Sequence, residues 1–231
     1  MQFQRIITDN INTSRLREGI YKKIGYGKKP DQDRTIIRMV DEAVCHIKKI
    51  RSADAIYRTL PVTGTSKSSV TTAAGPASSR KLAQFTRICT SDPEVLFMII
   101  TLGDSFRSID SMQSTMCSKF IVDAAGSEMI ELAAEILMGH LKNSPGFGGR
   151  DISRGFSPGY CDWPLDGQRL IFDVLDAARI GVCLDQYNIM LPSKTISAIC
   201  LVSEKMLLSS PCPLCPEKSC PWRREKQLYN Y

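Results

Sequence analysis

The chain has 231 residues, 43% hydrophobic and 23% charged, with a formal net charge of +6. This is ordinary globular composition, enough for one large domain or two small ones. The mild positive charge is spread along the chain apart from "YKKIGYGKK", so no clustered basic face for nucleic acid is expected. No apolar stretch reaches 18 residues, so no membrane span is expected either.

The N-terminus "MQFQRIITDNINTSR" lacks the charged-then-apolar layout of a secretion signal. The nine cysteines are therefore expected as reduced thiols in a cytoplasm. Residues 33–51, "DRTIIRMVDEAVCHIKKIR", place Ile36, Ile37, Val40, Val44, Ile47 and Ile50 at three- and four-residue spacing, which predicts an amphipathic helix. Asp31 or Asp33 is placed to cap it. "DAIYRTLPV" alternates apolar and polar residues, which predicts a strand near 54–62.

Residues 63–80 are rich in Ser, Thr, Gly and Ala. Too little apolar surface is available there to offset ordering entropy, so a flexible loop is expected. It divides an N-terminal helix-and-strand part, 1–62, from a core, 81–208. "PEVLFMIITLG" is a continuous apolar run rich in β-branched residues and predicts a strand buried on both faces near 93–102. Residues 104–143 read as two helices or one broken helix, with strong helix formers from Ala124 to Leu141.

A loop through "SPGFGGRDISRGFSPGY" precedes a helix in "PLDGQRLIFDVLDAAR". Strands are expected near 187–192 and 196–202. The mixed order predicts an α+β or mixed α/β fold.

Few groups here suit acid–base chemistry. His46 and His140 both lie in helical runs and read as ordinary helix histidines. No nucleophile elbow, Walker loop or dinucleotide fingerprint occurs. "SPGYCDWP" is different. Gly159 permits close backbone approach, and Pro158 and Pro164 stiffen the loop. Tyr160 and Trp163 offer flat faces with one polar handle each, and Arg154 carries a fork suited to a carboxylate. The plainer reading is a helix lead-in whose aromatics plug the core.

"SPGYCDWPLDGQRLIF" resembles the "PGYPACP" region of the reactivation domain of cobalamin-dependent methionine synthase, and free-standing proteins built from that domain. "AIYRTLPV", "VLFMIITLG", "FIVDAAGSEMIELAAEIL" and "NIMLPSKTISAI" resemble family landmarks in the same order, so the resemblance spans roughly 30–205. It implies a single α+β domain with a mixed or antiparallel twisted sheet flanked by helices. It also implies a protein that binds S-adenosylmethionine and supports reductive methylation of cob(II)alamin, with an electron from a donor protein. Its part is orientation and proximity.

Gly159 and Tyr160 match the motif's "GY". Glu131 matches the helix carboxylate that receives the ligand's amino group. Arg154 is the candidate for the ligand's carboxylate, although it stands five residues before Gly159 where the motif has four. Cys161, Asp162 and Trp163 replace the motif's "PAC". No "D-x-H-x-x-G" cobalt-binding pattern is present, so the cobalamin is expected on a partner methyltransferase of the methionine synthase type.

The tail, 209–231, sets Cys212, Cys215 and Cys220 within nine residues, a spacing that suits zinc or an iron–sulfur cluster; a tail of reduced thiols is the plainer alternative. Against the reactivation reading stands a non-catalytic adaptor of the same fold with a metal-binding tail. An ordinary S-adenosylmethionine methyltransferase is weaker, because the glycine-rich strand–helix loop is missing.

Overall fold

The structure, a computed structural model, describes residues 1–27, 33–88, 92–210, 212–214, 217 and 219. Its framework is an antiparallel sheet. In chain order the strands are β1 (Gln2–Ile7), β2 (Ser52–Thr65), β3 (Val70–Thr72), β4 (Gly75–Ala77), β5 (Glu94–Thr101), β6 (Asp151–Ile152), β7 (Cys183–Leu184), β8 (Met190–Leu191) and β9 (Thr195–Ser203). Seven of them form one sheet in the order β4-β3-β2-β5-β9-β6, with β1 also paired to β2. All pairings are antiparallel. The helices are α1 (Thr13–Lys23), α2 (Arg34–Ile47), α3 (Arg80–Thr86), α4 (Ser105–Ser111), α5 (Met116–Lys142) and α6 (Gln168–Val174). None among the described residues is long and apolar enough to cross a membrane.

The continuous apolar run of β5 has a direct cause. Leu96, Met98 and Ile100 enter one core together with residues of α1, α2 and α5. Val95, Phe97 and Ile99 enter a second core with α3, α6, Phe156 and Trp163. Side chains alternate across a strand, so a strand between two layers needs apolar residues at every position. β9 does the same, with Ala198, Cys200 and Val202 on one side and Ile199 and Leu201 on the other. Burial raises the Cys200 thiol to about 12, so it stays protonated and acts as a small apolar group.

The predicted helix at 33–51 forms as α2, with Asp33 Oδ1 accepting from the Ile36 amide at 3.1 Å. The 104–143 segment forms two helices. Thr115 starts the second through a capping box with Ser118, which holds the break between them.

Three expectations need correction. Residues 63–80, expected as a flexible loop, complete β2 and form the β3–β4 hairpin. Val70, Thr72 and Ala77 point inward and are buried. The two-residue turn between Thr72 and Gly75 closes the hairpin, with Gly75 at φ +118°, a conformation open to glycine. Thr and Val favour strands, and a short hairpin packed on an existing core needs few large side chains.

The strand near 187–192 is reduced to β8, which pairs with β7 in a separate two-stranded sheet. Asp185 Oδ1 accepts from the amides of Tyr187 and Ile189, each at 2.8 Å. Those bonds, with Asn188 at φ +62°, make 185–189 a turn. The helix expected in "PLDGQRLIFDVLDAAR" is broken into a 3-10 turn at Leu165–Gly167, α6, and a second 3-10 turn at Ala177–Ile180.

Candidate functional site

The loop carrying Arg154, Gly159 and Tyr160 grows out of the sheet edge. After β6 the chain keeps bonding to β9: Ser153 N donates to Leu201 O at 2.8 Å and Phe156 N to Ile199 O at 2.7 Å. Arg154 N turns the other way and donates to Ser209 O at 2.8 Å. Arg154 is half-buried at this edge.

Beyond it the aromatics divide their tasks. Phe156 and Trp163 are buried, with ring centroids 6.0 Å apart and planes 27° apart. They plug the second core, as the plainer reading held. Gly167 backs the indole so closely that a Cβ there would lie 2.2 Å from Trp163 Nε1. Tyr160 is left 54% exposed. The turn that presents it is compact: Gly159 N donates to Trp163 O at 2.8 Å, and Trp163 N to Tyr160 O at 3.1 Å. Gly159 takes φ +85° and Cys161 φ +57°, so Tyr160 stands between two left-handed residues.

Asp162 fastens this turn to another element. Its Oδ1 accepts from Ser79 Oγ at 2.6 Å, and its Oδ2 from the amides of Arg80 at 2.9 Å and Lys81 at 3.2 Å. Arg80 and Lys81 begin α3, whose first-turn amides have no partner within the helix. Desolvation acts to raise the Asp162 carboxyl, but the Ser79 hydroxyl and the Lys81 and Arg80 amides outweigh it and hold it below its ordinary value. A carboxylate depressed in the folded state adds stability above its unfolded pKa, and that stability is lost as pH falls through the folded value. Melting temperatures recorded from pH 7 down to about pH 3 should therefore fall less steeply for Asp162→Asn than for wild type below the ordinary aspartate range of about 4. Identical acid limbs would show that Asp162 adds nothing.

Glu131 stands elsewhere. It lies on α5, in the helical layer over the opposite face of the sheet from Trp163. Lys23 Nζ donates to Glu131 Oε1 at 2.7 Å and lies 3.6 Å from Glu128 Oε2. Burial pushes the Glu128 carboxyl above its ordinary value, against the pull of Lys23 and with the neighbouring Glu131 charge adding to the rise. The three side chains tie α1 to α5. Arg154, Gly159 and Tyr160 thus share one segment, while Glu131 lies on α5, which covers the sheet face opposite Trp163.

Of the tail cysteines, Cys212 begins a 3-10 turn at Cys212–Leu214; Cys215 and Cys220 lie outside the described residues. No group of three or more His, Cys, Asp or Glu side chains arranged for a metal occurs among the described residues. His140 Nδ1 bonds to Gln4 Nε2 at 3.0 Å on the surface.

The Asp162–Ser79 contact escaped the sequence reading. Its signal was Ser79 itself, a capping residue three positions before Leu82, whose amide donates to Ser79 Oγ at 3.1 Å. That pattern starts a helix inside what composition presented as the end of a loop.

An antiparallel sheet buried on both faces, with α1, α2 and α5 over one face and α3 and α6 over the other, defines a single α+β domain of the reactivation-domain fold. Among solved structures, the MetH reactivation domain bound to AdoHcy shares this fold with a TM-score of 0.58; the match covers 87% of this chain and 78% of that one at 13% identity. No protein-family model matches the sequence, and no curated protein matches it.

Proposed function

We propose that this chain binds S-adenosylmethionine at the Arg154–Tyr160 loop and serves reductive reactivation of a cobalamin-dependent methyltransferase of the methionine synthase type. The observation that supports it most is the conjunction of two independent likenesses. The fold is that of a domain solved with AdoHcy, the demethylated form of that ligand. The "GY" of the resembling motif falls on an exposed tyrosine presented by a left-handed glycine. In this reading Arg154 meets the ligand's carboxylate, Gly159 lets the backbone approach it, and Tyr160 packs against it.

The cobalamin sits on the partner, and an external donor protein supplies the electron. The methyl group comes from the sulfonium, and this chain contributes orientation. The spacing of Cys212, Cys215 and Cys220, and no contact in the fold, supports a zinc or iron–sulfur site in the tail. Elemental analysis of wild type against Cys215→Ser tests that part separately.

One observation favours the adaptor reading instead: the Glu131 carboxylate is bonded to Lys23, on a helix that covers the sheet face opposite Trp163. Calorimetric titration with S-adenosylmethionine decides between the two. Saturable one-to-one binding supports reactivation, and no heat at millimolar ligand leaves the adaptor.

A further inference from the structure

We propose that Asp162 is a positioning residue for ligand recognition: its carboxylate clamps the Tyr160 loop to α3 and so fixes where Tyr160 stands. The inference rests on the S-adenosylmethionine reading above and deepens it, because it assigns a role to a residue at which this chain departs from the motif it resembles.

The geometry carries it. Tyr160 is flanked by Gly159 at φ +85° and Cys161 at φ +57°. Glycine adopts that region freely, but a residue with a Cβ does not. An unfavourable backbone conformation persists only where its surroundings over-determine it. Two anchors do so here, and both lie just after Cys161. Trp163 is buried against Phe156. Asp162 takes one hydroxyl and two amide donors from Ser79, Arg80 and Lys81, some eighty residues earlier in the chain.

Three donors converging on two carboxylate oxygens set the direction of the loop as well as its attachment. Trp163 holds the loop down on the core; Asp162 fixes its sideways setting against α3. Tyr160, two residues before Asp162 and exposed, inherits that setting. A binding loop held in shape before the ligand arrives loses less entropy on binding.

Asparagine keeps the volume and one acceptor oxygen, but its NH2 must face either the hydroxyl or the amides. Alanine keeps neither oxygen. Affinity should therefore fall in the order Asp, Asn, Ala. A purely structural role would lower the melting temperature in that order and leave affinity unchanged wherever the variants are folded.

The test titrates S-adenosylmethionine into wild type, Asp162→Asn, Asp162→Ala and Ser79→Ala by calorimetry, at a temperature where circular dichroism shows each to be folded. Amide hydrogen exchange over residues 157–163 is followed in parallel. Loss of a charge-assisted contact predicts affinity about tenfold weaker for Asp162→Asn and weaker still for Asp162→Ala, with loop exchange accelerating in the same order. Should Asp162→Ala fail to fold, Asp162→Asn and Ser79→Ala, which remove fewer bonds, carry the comparison. Wild-type binding with undiminished affinity in the variants overturns the positioning role alone. Wild type that binds no S-adenosylmethionine overturns the functional reading, and this proposal with it.

Discussion

Trp163→Ala is expected to destabilise the protein by about 3–5 kcal/mol, the usual cost of removing a large buried aromatic side chain. Trp163 is 3% exposed and stacks on Phe156. The Gly167 backbone lies against the indole without a side chain between them. In a chain of this length each kcal/mol shifts the melting temperature by about 2–4 °C, so a thermal scan should show a drop of roughly 6–20 °C. The hole would open under the segment that carries Tyr160, so whatever the loop binds should bind more weakly as well. A drop below about 2 °C would mean that Trp163 is not a core plug.

Tyr160→Ala, three residues away, should do the reverse. Its side chain is 54% exposed, and exposed substitutions usually change stability by no more than about 0.5 kcal/mol. If Tyr160 packs against S-adenosylmethionine, its removal should weaken binding by about ten- to a hundredfold, the range of an aromatic anchor worth roughly 1.5–3 kcal/mol. Paired melts and titrations separate the two effects. A Tyr160→Ala protein with wild-type melting and wild-type affinity would remove Tyr160 from the site, whereas one with a large loss of stability would make it structural.

These two aromatics show how far the sequence could be read. Both stand in "SPGYCDWP", and chemistry alone does not tell the plug from the ligand face. The difference lies in the tertiary setting: Trp163 meets Phe156, which is itself placed by pairing with Ile199. The central strand β5 was legible because a strand between two layers is apolar throughout, β2 because its apolar and polar residues alternate, and α2 because its apolar stripe has helical period.

The β3–β4 hairpin and α3 were not legible. The hairpin's residues are mostly small or polar and α3 is only seven residues long, burying Leu82 and Phe85, so their order comes from packing on a core that the rest of the chain builds. β1 and α1 were hidden for a related reason. β1 holds its place by pairing with β2 from Gln2↔Tyr57 to Ile7↔Ser52, and Phe3 and Ile7 remain exposed, so its pattern carries no clear buried face. Strong helix formers from Ala124 to Leu141 put Glu131 on a helix, but which side of the sheet that helix covers is decided by topology, and it covers the face opposite Trp163. Asp162 departs from the motif, and its donors, Ser79, Arg80 and Lys81, stand too far away in the chain for spacing to show them.

The central claim, that the Arg154–Tyr160 loop is an S-adenosylmethionine site, is tested most directly by a crystal structure of the protein grown with S-adenosylhomocysteine. The account predicts ligand density against Tyr160, with the Gly159 backbone in contact and the Arg154 guanidinium at the ligand's carboxylate. Ligand bound instead in the α1–α5 layer around Lys23 and Glu131, or a loop left empty at saturating ligand, would contradict it.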